Sequence, residues 1–350
     1  MERSWAARAP WSSPISGSPT VFARSVRKIA DAVAPRGSAR HLLKAVGLDR
    51  DALRDPRLRI PYADMMMLSE LASRMTRDVA FGLHVGEHVE QNSYGIVGYS
   101  VVSSATLGEA LRSLERYLPI WTNGGVFELD VEPTVAHFRW KYSNGPLPEL
   151  RHDVEMTMAA VARFNRLSEG VAWKPREVWF AHSKPKDVSE HARIFRAPVR
   201  FGMPVTSLLL DSALLNLRMR GANSVAHQVL TAAADELLAT APAKANLTQS
   251  VLSFIRQRLC SGDFSLHEAS RHLGISRRSL QRKLRQESSS HRLLVEQARR
   301  DLSRCLLLGS HATATEAAYA LGFSDPTAFH HAFQRWHGMP PQAYREAKIR

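Results

Sequence analysis

The 350-residue chain has only two cysteines and no long apolar run. Two cysteines, Cys260 and Cys305, are too few for a disulfide framework, so we expect buried thiols in a reducing cytoplasm. No stretch approaches the roughly 18 apolar residues of a membrane span. Residues 1–20 lack the apolar segment of a signal peptide. A P-loop, a GxGxxG motif and a nucleophile elbow are absent as well, and no cofactor or catalytic residue is indicated.

The chain has fewer acidic than basic residues, 33 Asp and Glu against 47 Lys and Arg, which gives a net charge of +14. A hydrophobic share of 44% is sufficient for two or three folded domains. The positive excess indicates a polyanionic partner. It is concentrated between Arg271 and Arg304, where ten basic residues oppose Glu287, Glu296 and Asp301. An isolated run of this kind is usually a solvated helix face, but this one coincides with a repeated motif, and nucleic acid is the better interpretation.

One short pattern occurs twice in the C-terminal third. Residues 269–276 read ASRHLGIS, and residues 317–324, 48 positions later, read AAYALGFS. Small residues allow two helices to cross closely, and we expect Gly274 and Gly322 to form the turn between them with positive φ. Capping-box residues, Ser265 with Glu268 and Thr313 with Glu316, open the first helix of each unit. Two such units on basic sequence predict a double helix-turn-helix, whose second helices can enter DNA major grooves.

Hydrophobic periodicity separates a mixed N-terminal region from a helical C-terminal region. In the first, it predicts helices at 22–46, 61–75, 107–118, 150–167, 188–195 and 223–238, a hairpin at 126–131 and 135–142, and strands at 177–181 and 207–210. A small-residue linker at 239–245 contains Pro242 and is the best domain boundary. After it, helices are predicted at 248–260, 266–273, 277–287, 291–308, 314–321 and 326–337. We also expect residues 247–350 to fold on their own.

Several segments carry a family resemblance. Residues 275–284 read ISRRSLQRKL, 318–325 AYALGFSD, 333–336 FQRW and 338–341 GMPP, followed by Tyr344 and Arg345. The run from 266 to 345 resembles the AraC-type (AraC/XylS) transcription regulators. More loosely, residues 39–212 are similar to the mixed α/β effector domain of one AraC subgroup, through 43–48, 95–99 and 104–111. Departures occur at Ser288 and His291, where the family usually has glycine and an aromatic residue, and at Ser270 of the first unit, where it usually has alanine. In the second unit, Ala314 and Ala317 replace larger aliphatic residues, so we expect that unit to pack less tightly.

This resemblance implies an α+β N-terminal effector domain followed by an all-α DNA-binding domain with two helix-turn-helix units. The implied organisation is a flexible tail at 1–22, an effector-binding and oligomerisation domain at 23–215, a helix and linker at 216–246, and the double helix-turn-helix domain at 247–350. The implied function is sequence-specific activation or repression of transcription at a DNA operator, in response to a small molecule that the sequence does not identify. A homodimer and a contact with RNA polymerase fit this function, as does a bacterial, cytoplasmic location, nucleoid-associated when DNA is bound.

In the first unit, the candidate DNA-binding residues follow Ser276 on the recognition helix. They are Arg277, Arg278, Gln281, Arg282 and Arg285. Arginine can bind guanine, and glutamine adenine, through two hydrogen bonds. Base reading is favoured for Arg278 and Gln281, whereas for Arg282 it is balanced against a phosphate contact. If Arg285 and, in the following helix, Arg299 bind phosphate, alanine at either position should weaken binding to all sequences similarly.

In the second unit, Asp325 and Pro326 open the recognition helix, with proline at a position where it loses no hydrogen bond. The outward-facing candidates are Thr327, His330, His331 and Gln334. Histidine can change charge near neutral pH, so the two histidines give a pH-sensitive contact or are exposed residues without a role. Arg335 is interpreted as a phosphate or structural residue.

Two alternatives concern the N-terminal domain. His84-Val-Gly-Glu-His88 matches the H-x-x-E-H pattern of zinc proteases and would give a metal-dependent hydrolase. Chance matches are expected in a chain with 15 histidines, Gly86 weakens a helix, and no third ligand is evident, so no metal site is predicted. The other alternative is a domain that only contacts proteins.

Overall fold

The computed structural model describes residues 19–34, 39–46, 48–55, 57–142, 151–165, 173–240, 247–259, 263–309 and 312–349. These residues form two compact units. We call residues 73–240 the sheet unit, and residues 19–72 together with 247–349 the helical unit. Cys260 lies outside the described residues, as does the side chain of Cys305, so the expectation of buried thiols is not addressed. The sequence-based domain limits remain predictions, but the helical unit includes residues 23–72, which they assign to the effector domain.

The strands are β1 Thr20–Phe22, β2 Arg59–Pro61, β3 Gly125–Val131, β4 Val135–Tyr142, β5 Glu177–Trp179, β6 Val199–Arg200 and β7 Thr206–Asp211. The first nine α-helices are α1 Ser25–Val33, α2 Ala39–Ala45, α3 Tyr62–Thr76, α4 Phe81–Glu87, α5 Ile96–Ser103, α6 Leu107–Trp121, α7 His152–Asn165, α8 Ser189–Phe195 and α9 Ser224–Thr240. The remaining seven are α10 Leu247–Arg258, α11 Leu266–His272, α12 Arg277–Gln286, α13 His291–Arg304, α14 Ala314–Ala320, α15 Pro326–His337 and α16 Pro341–Ile349. A π-helical turn, Cys305–Gly309, follows α13.

A five-stranded sheet in the order β3-β4-β7-β5-β6 organises the sheet unit. Its neighbouring strands are antiparallel except for the parallel pair β5–β6. The predicted hairpin is confirmed, and alternation buries Phe127, Phe138 and Trp140 on one face. Thr106 caps the start of α6 by accepting a hydrogen bond from the Glu109 backbone, while the Glu109 carboxylate accepts one from the Ala105 backbone. The expected mixture of helices and strands is therefore present.

Helices α4 and α7 pack very closely because of two glycines. A Cβ atom added to Gly82 would lie 2.1 Å from the His152 carbonyl oxygen, and one added to Gly86 would lie 2.3 Å from that of Met156. Any larger residue would force the helices apart. The glycine that interrupts the His84–His88 pattern therefore has a packing role.

The N-terminal part of the helical unit differs from its prediction in two places. Residues 22–46 do not form one helix, because α1 ends at Val33, just before Pro35, a residue type that disfavours helix continuation. Residues 20–22, expected in a flexible tail, form β1, which pairs antiparallel with β2. Arg59 stabilises this pair, because its Nε donates a 2.8 Å hydrogen bond to Thr20 Oγ1.

The C-terminal part of the helical unit is helical at each predicted segment. Helix α12 buries Leu280 and Leu284, and α15 buries Phe329 and Phe333, the apolar positions at i, i+4 spacing. The helix expected at 291–308 is α-helical only to Arg304 and continues as the π-helical turn. The last helix, α16, was not separately predicted.

Candidate nucleic-acid interface

Two helix pairs, α11 with α12 and α14 with α15, form the helix-turn-helix units. Thr313 and Glu316 make the complete capping box expected at α14. At α11 the box is only half formed: Ser265 Oγ accepts from the Glu268 backbone at 3.2 Å, but the Glu268 carboxylate pairs with Arg271. The competing arginine explains the difference, because a carboxylate engaged by a charged donor is less available to the backbone.

The two turns have the same backbone geometry. Gly274 has φ of +65° and Gly322 has φ of +68°, the left-handed conformation for which glycine was expected. In each turn the glycine and the next residue cap the preceding helix through their N–H groups. The bonds are Gly274 N to Arg271 O, 3.2 Å; Ile275 N to Ser270 O, 3.1 Å; Gly322 N to Tyr319 O, 2.9 Å; and Phe323 N to Ala318 O, 3.0 Å. This pattern is the Schellman motif, and it directs the chain into each second helix.

Helix α12 presents a basic outer face. Ser276 caps it by accepting a 3.2 Å hydrogen bond from the Ser279 backbone. All five candidates are exposed, namely Arg277, Arg278, Gln281, Arg282 and Arg285. Leu280 and Leu284 face the core at 0% exposure, so α12 has one buried apolar side and one cationic side.

Helix α15 has a polar outer face with fewer cations. Asp325 caps it by accepting hydrogen bonds from the Thr327 and Ala328 backbones at 2.9 and 3.2 Å. These bonds lower the pKa of Asp325. The four candidates on this helix are exposed, namely Thr327, His330, His331 and Gln334. Arg335 donates to Glu296 Oε1 at 3.0 Å and is therefore linked to α13.

Ser288, where the family usually has glycine, has φ of +54°. Its N–H bonds the Arg285 carbonyl at 3.0 Å, and the Ser289 N–H bonds that of Leu284 at 2.8 Å, so a Schellman motif also ends α12. Gly338, with φ of +76°, occupies the corresponding end of α15. The other departure, His291, donates from Nε2 to the Phe264 carbonyl at 2.8 Å, and burial lowers its pKa.

Arg299 makes several contacts inside the helical unit. Its Nε donates to the Leu321 carbonyl at 3.0 Å and its Nη2 to the Gly322 carbonyl at 2.6 Å. The guanidinium carbon lies 4.2 Å from the centre of the Phe323 ring. Burial lowers the pKa of Arg299. Two donors of Arg299 are therefore used inside the fold, and a phosphate contact by this residue stays a prediction.

Arg304 is also engaged internally. It forms an ion pair with Asp64 of α3, although 240 residues separate them in the sequence. Burial raises the pKa of Asp64 to about 6, opposed by the charge of Arg304. Burial, followed by the charges of Arg304 and Arg300, lowers the pKa of nearby His337 to about 3. Arg304 therefore joins α3 and α13 within the helical unit.

The His84–His88 pattern forms a surface network in the sheet unit. His84 Nδ1 bonds Asp78 Oδ2 and its Nε2 bonds Glu190 Oε2, both at 2.8 Å. Although burial opposes it, these bonds raise the pKa of His84. Glu87 pairs with Arg193 at 2.6 Å. Among the described residues, no group of three His, Cys, Asp or Glu side chains is placed to hold a metal ion.

Comparisons with known proteins define the class and then the family. The model of a helix-turn-helix domain matches residues 269–347, so the chain is a DNA-binding transcription regulator. A second model, described as the arabinose-binding domain of AraC transcription regulator, N-term, matches residues 37–219, which is 183 of 350 residues. The chain belongs to the AraC family, as the resemblance implied. Among the described residues, no helix is long and apolar enough to cross a membrane.

Sequence similarity to known proteins extends over most of the chain. The ornithine utilization regulator of Pseudomonas aeruginosa is 28% identical over 323 residues, covering 91% of this chain and 94% of the relative. The HTH-type transcriptional regulator VirS of Mycobacterium tuberculosis is 26% identical over 269 residues, covering 76% and 78%. The crystal structure of transcriptional regulator CdpR from Pseudomonas aeruginosa is 20% identical with a TM-score of 0.44, covering 93% of this chain and 98% of that one.

Proposed function

We propose that α12 and α15 are the recognition helices through which this regulator binds its operator. The observation that carries the proposal is their shared construction. Each helix follows a glycine turn of positive φ, buries one apolar side and exposes polar or cationic side chains on the other. Consecutive recognition helices enter successive major grooves, about 34 Å apart, on one face of DNA.

Within α12, Arg278 and Gln281 read bases, Arg277 and Arg285 hold the DNA backbone, and Arg282 lies where it can contact either a base or a phosphate. Residues three apart share one helix face, and both members of the base-reading pair are exposed. Arginine and glutamine present the paired donors and acceptors that match guanine and adenine edges. In α15, His331 and Gln334 make weaker contacts.

The test is a comparison of Gln281→Ala on specific and scrambled DNA at one salt concentration. The specific DNA is a 30-base-pair duplex selected from a random pool by the full-length protein. We expect a loss of about 1–3 kcal/mol on the selected duplex and much less on the scrambled one. Gln286→Ala is the matched control, because Gln286 is exposed near the other end of α12. Equal losses on both DNAs would reduce Gln281 to a backbone contact.

We propose that the sheet unit binds the effector, a small molecule with N–H or O–H donors, beside Glu155. This side chain is fully buried, and its Oε2 lies 3.4 Å from His152 Nδ1, which accepts a hydrogen bond from Gly82 N. Its Oε1 accepts from Arg151 Nη1 at 2.6 Å and from His191 Nε2 at 2.9 Å, and His182 Nε2 lies 3.6 Å from the same oxygen. Among the described residues, Glu155 Oε2 and His182 Nε2 are buried without a hydrogen-bond partner, and donors supplied by the effector would satisfy them.

Thermal-shift screening of the full-length protein against small amines and alcohols tests this proposal. A stabilising compound should lose its effect in Glu155→Gln, because the amide supplies its own donor to the cluster. Glu177→Gln is the control, since Glu177 pairs with Arg200. An unchanged thermal shift in Glu155→Gln would show that the effector binds elsewhere. If no compound stabilises the wild-type protein, the alternative of a sheet unit that contacts only proteins is favoured.

We also propose a homodimer through α9. This helix exposes Val225, Val229 and Leu237 at 69%, 65% and 46%, and such an apolar stripe marks an interaction surface. Arg220, four residues before α9, and Glu236, near the end of α9, are both exposed and would face each other in an antiparallel pair of copies. Val229→Glu should give a monomer by light scattering, whereas Gln228→Glu, which adds the same charge beside the stripe, should not. A monomeric wild-type protein would refute the proposal.

The operator-bound protein acts in the bacterial cytoplasm, at the nucleoid, and contacts RNA polymerase when it activates transcription. This part of the proposal is supported by the family assignment. A genome-wide map of its bound sites tests it, since activation requires sites close to promoters.

A further inference from the structure

We infer that Arg299 is a positioning residue that sets the second recognition helix, α15, relative to the first. The guanidinium group lies on α13, the helix between the two units, and binds the Leu321 and Gly322 carbonyls. Leu321 is the C-cap of α14 and Gly322 is the turn residue after it, and α15 begins only four residues after Gly322. Arg299 therefore acts directly on the turn that determines where α15 points.

The same guanidinium also contacts the first unit. Its carbon lies 5.6 Å from the centre of the Phe264 ring and 4.2 Å from that of Phe323. Phe264 stands two residues before α11, and Phe323 belongs to the second turn. Planar guanidinium groups interact favourably with aromatic faces, and more strongly when water is excluded. One side chain thus touches both helix-turn-helix units.

The surroundings of the second turn make this arrangement rigid. A Cβ atom on Gly322 would lie 2.8 Å from the Leu259 carbonyl oxygen and 3.2 Å from the Phe264 ring. The Phe264 carbonyl is itself fixed by His291 Nε2 at 2.8 Å. The second turn therefore packs against Leu259 and Phe264, which precede the first unit. Arg299 holds the turn in this position by binding the Leu321 and Gly322 carbonyls, since carbonyls at the end of a helix have no partner within it.

Lysine cannot replace this function, because a single ammonium lacks the planar fork that binds two carbonyls and stacks on rings. A phosphate contact would behave differently, since lysine binds phosphate as a point charge. Arg299→Lys therefore separates the two roles. This inference rests on the proposal that both α12 and α15 contact DNA.

Hydroxyl-radical footprinting on the selected 30-base-pair duplex tests it. The wild-type protein should protect two segments about one helical turn apart, and the segment weakened by Gln281→Ala belongs to α12. In Arg299→Met and Arg299→Lys, the other segment should lose protection while the α12 segment keeps it, and affinity should fall about 10- to 100-fold. Arg300→Met is the matched control, since it removes the same charge from the adjacent half-buried position of α13, and both segments should remain protected.

The outcomes separate the inference from the proposed function. A single protected segment with the wild-type protein would refute DNA contact by α15. Two segments that persist in Arg299→Met, or full recovery in Arg299→Lys, would overturn the positioning role. Hydrogen exchange of the α12 and α15 amides reports folding: if Arg299→Met unfolds α15, Arg299→Lys must still show selective loss of its footprint, and failure to do so also overturns the inference.

Discussion

Replacing Gly322 with alanine should destabilise the second helix-turn-helix more than the same change at Gly274 destabilises the first. Their φ angles, +68° and +65°, cost an alanine about 1 kcal/mol at either position. Around Gly274 nothing lies within 4 Å of an added Cβ. At Gly322 the Cβ would lie 2.8 Å from the Leu259 carbonyl, and backbone cannot rotate away. Relieving that clash adds about 1–3 kcal/mol.

The measurement is amide hydrogen exchange in the full-length variants, read by mass spectrometry on peptides covering each unit. A local loss of about 1 kcal/mol accelerates exchange about fivefold, and one of 2–4 kcal/mol accelerates it about 30- to 1000-fold. We therefore expect modest acceleration around α11 for Gly274→Ala and strong acceleration around α14 for Gly322→Ala. Equal acceleration would refute the reasoning, because it would show that the contact with Leu259 relaxes without cost.

Three further results are expected. Ser288→Gly should stabilise the end of α12 by about 1 kcal/mol, since serine is strained at positive φ, whereas Ser289→Gly, at a residue of ordinary φ, should not; urea unfolding compares them. Asp64 has a pKa raised to about 6, so its contribution to stability is complete below pH 4 and is lost as pH rises through 6. Hydrogen exchange of α3 should show that Asp64→Asn reduces this loss by about 3 kcal/mol; an unchanged pH dependence would contradict the assignment. Arg285→Ala should reduce the log–log salt slope of DNA binding by about 0.9, whereas Arg304→Met, at an internally paired residue, should leave it unchanged.

The helix-turn-helix units could be predicted because their signals are local. A cap such as Thr313 and a turn glycine such as Gly322 act within a few residues of their own positions. The inner faces of α12 and α15 follow from apolar spacing alone. For the same reason the hairpin β3–β4 was visible as a period-two alternation, whereas the two-residue strand β6 is too short to show a period.

Other features depend on partners that are distant in sequence. Strand β1 exists because Thr20–Phe22 pairs with residues 59–61, and no local pattern indicates that pairing. Ser288 was recognised only as a departure from the family, and its positive φ became evident from the backbone. Glu155, which was not singled out in the sequence, is chemically unusual because His182 and His191 reach it from distant positions in the chain.

The basic run from Arg271 to Arg304 combines two uses that composition cannot separate. On α12, the cations are exposed and available to DNA. On α13, Arg299 and Arg304 donate instead to helix-end carbonyls and to Asp64. A helix packed between two units meets unpaired carbonyls and carboxylates, and arginine satisfies them while remaining charged. The charge available for DNA is therefore concentrated on the first unit, and α15, with few cations of its own, depends on α13 for its position.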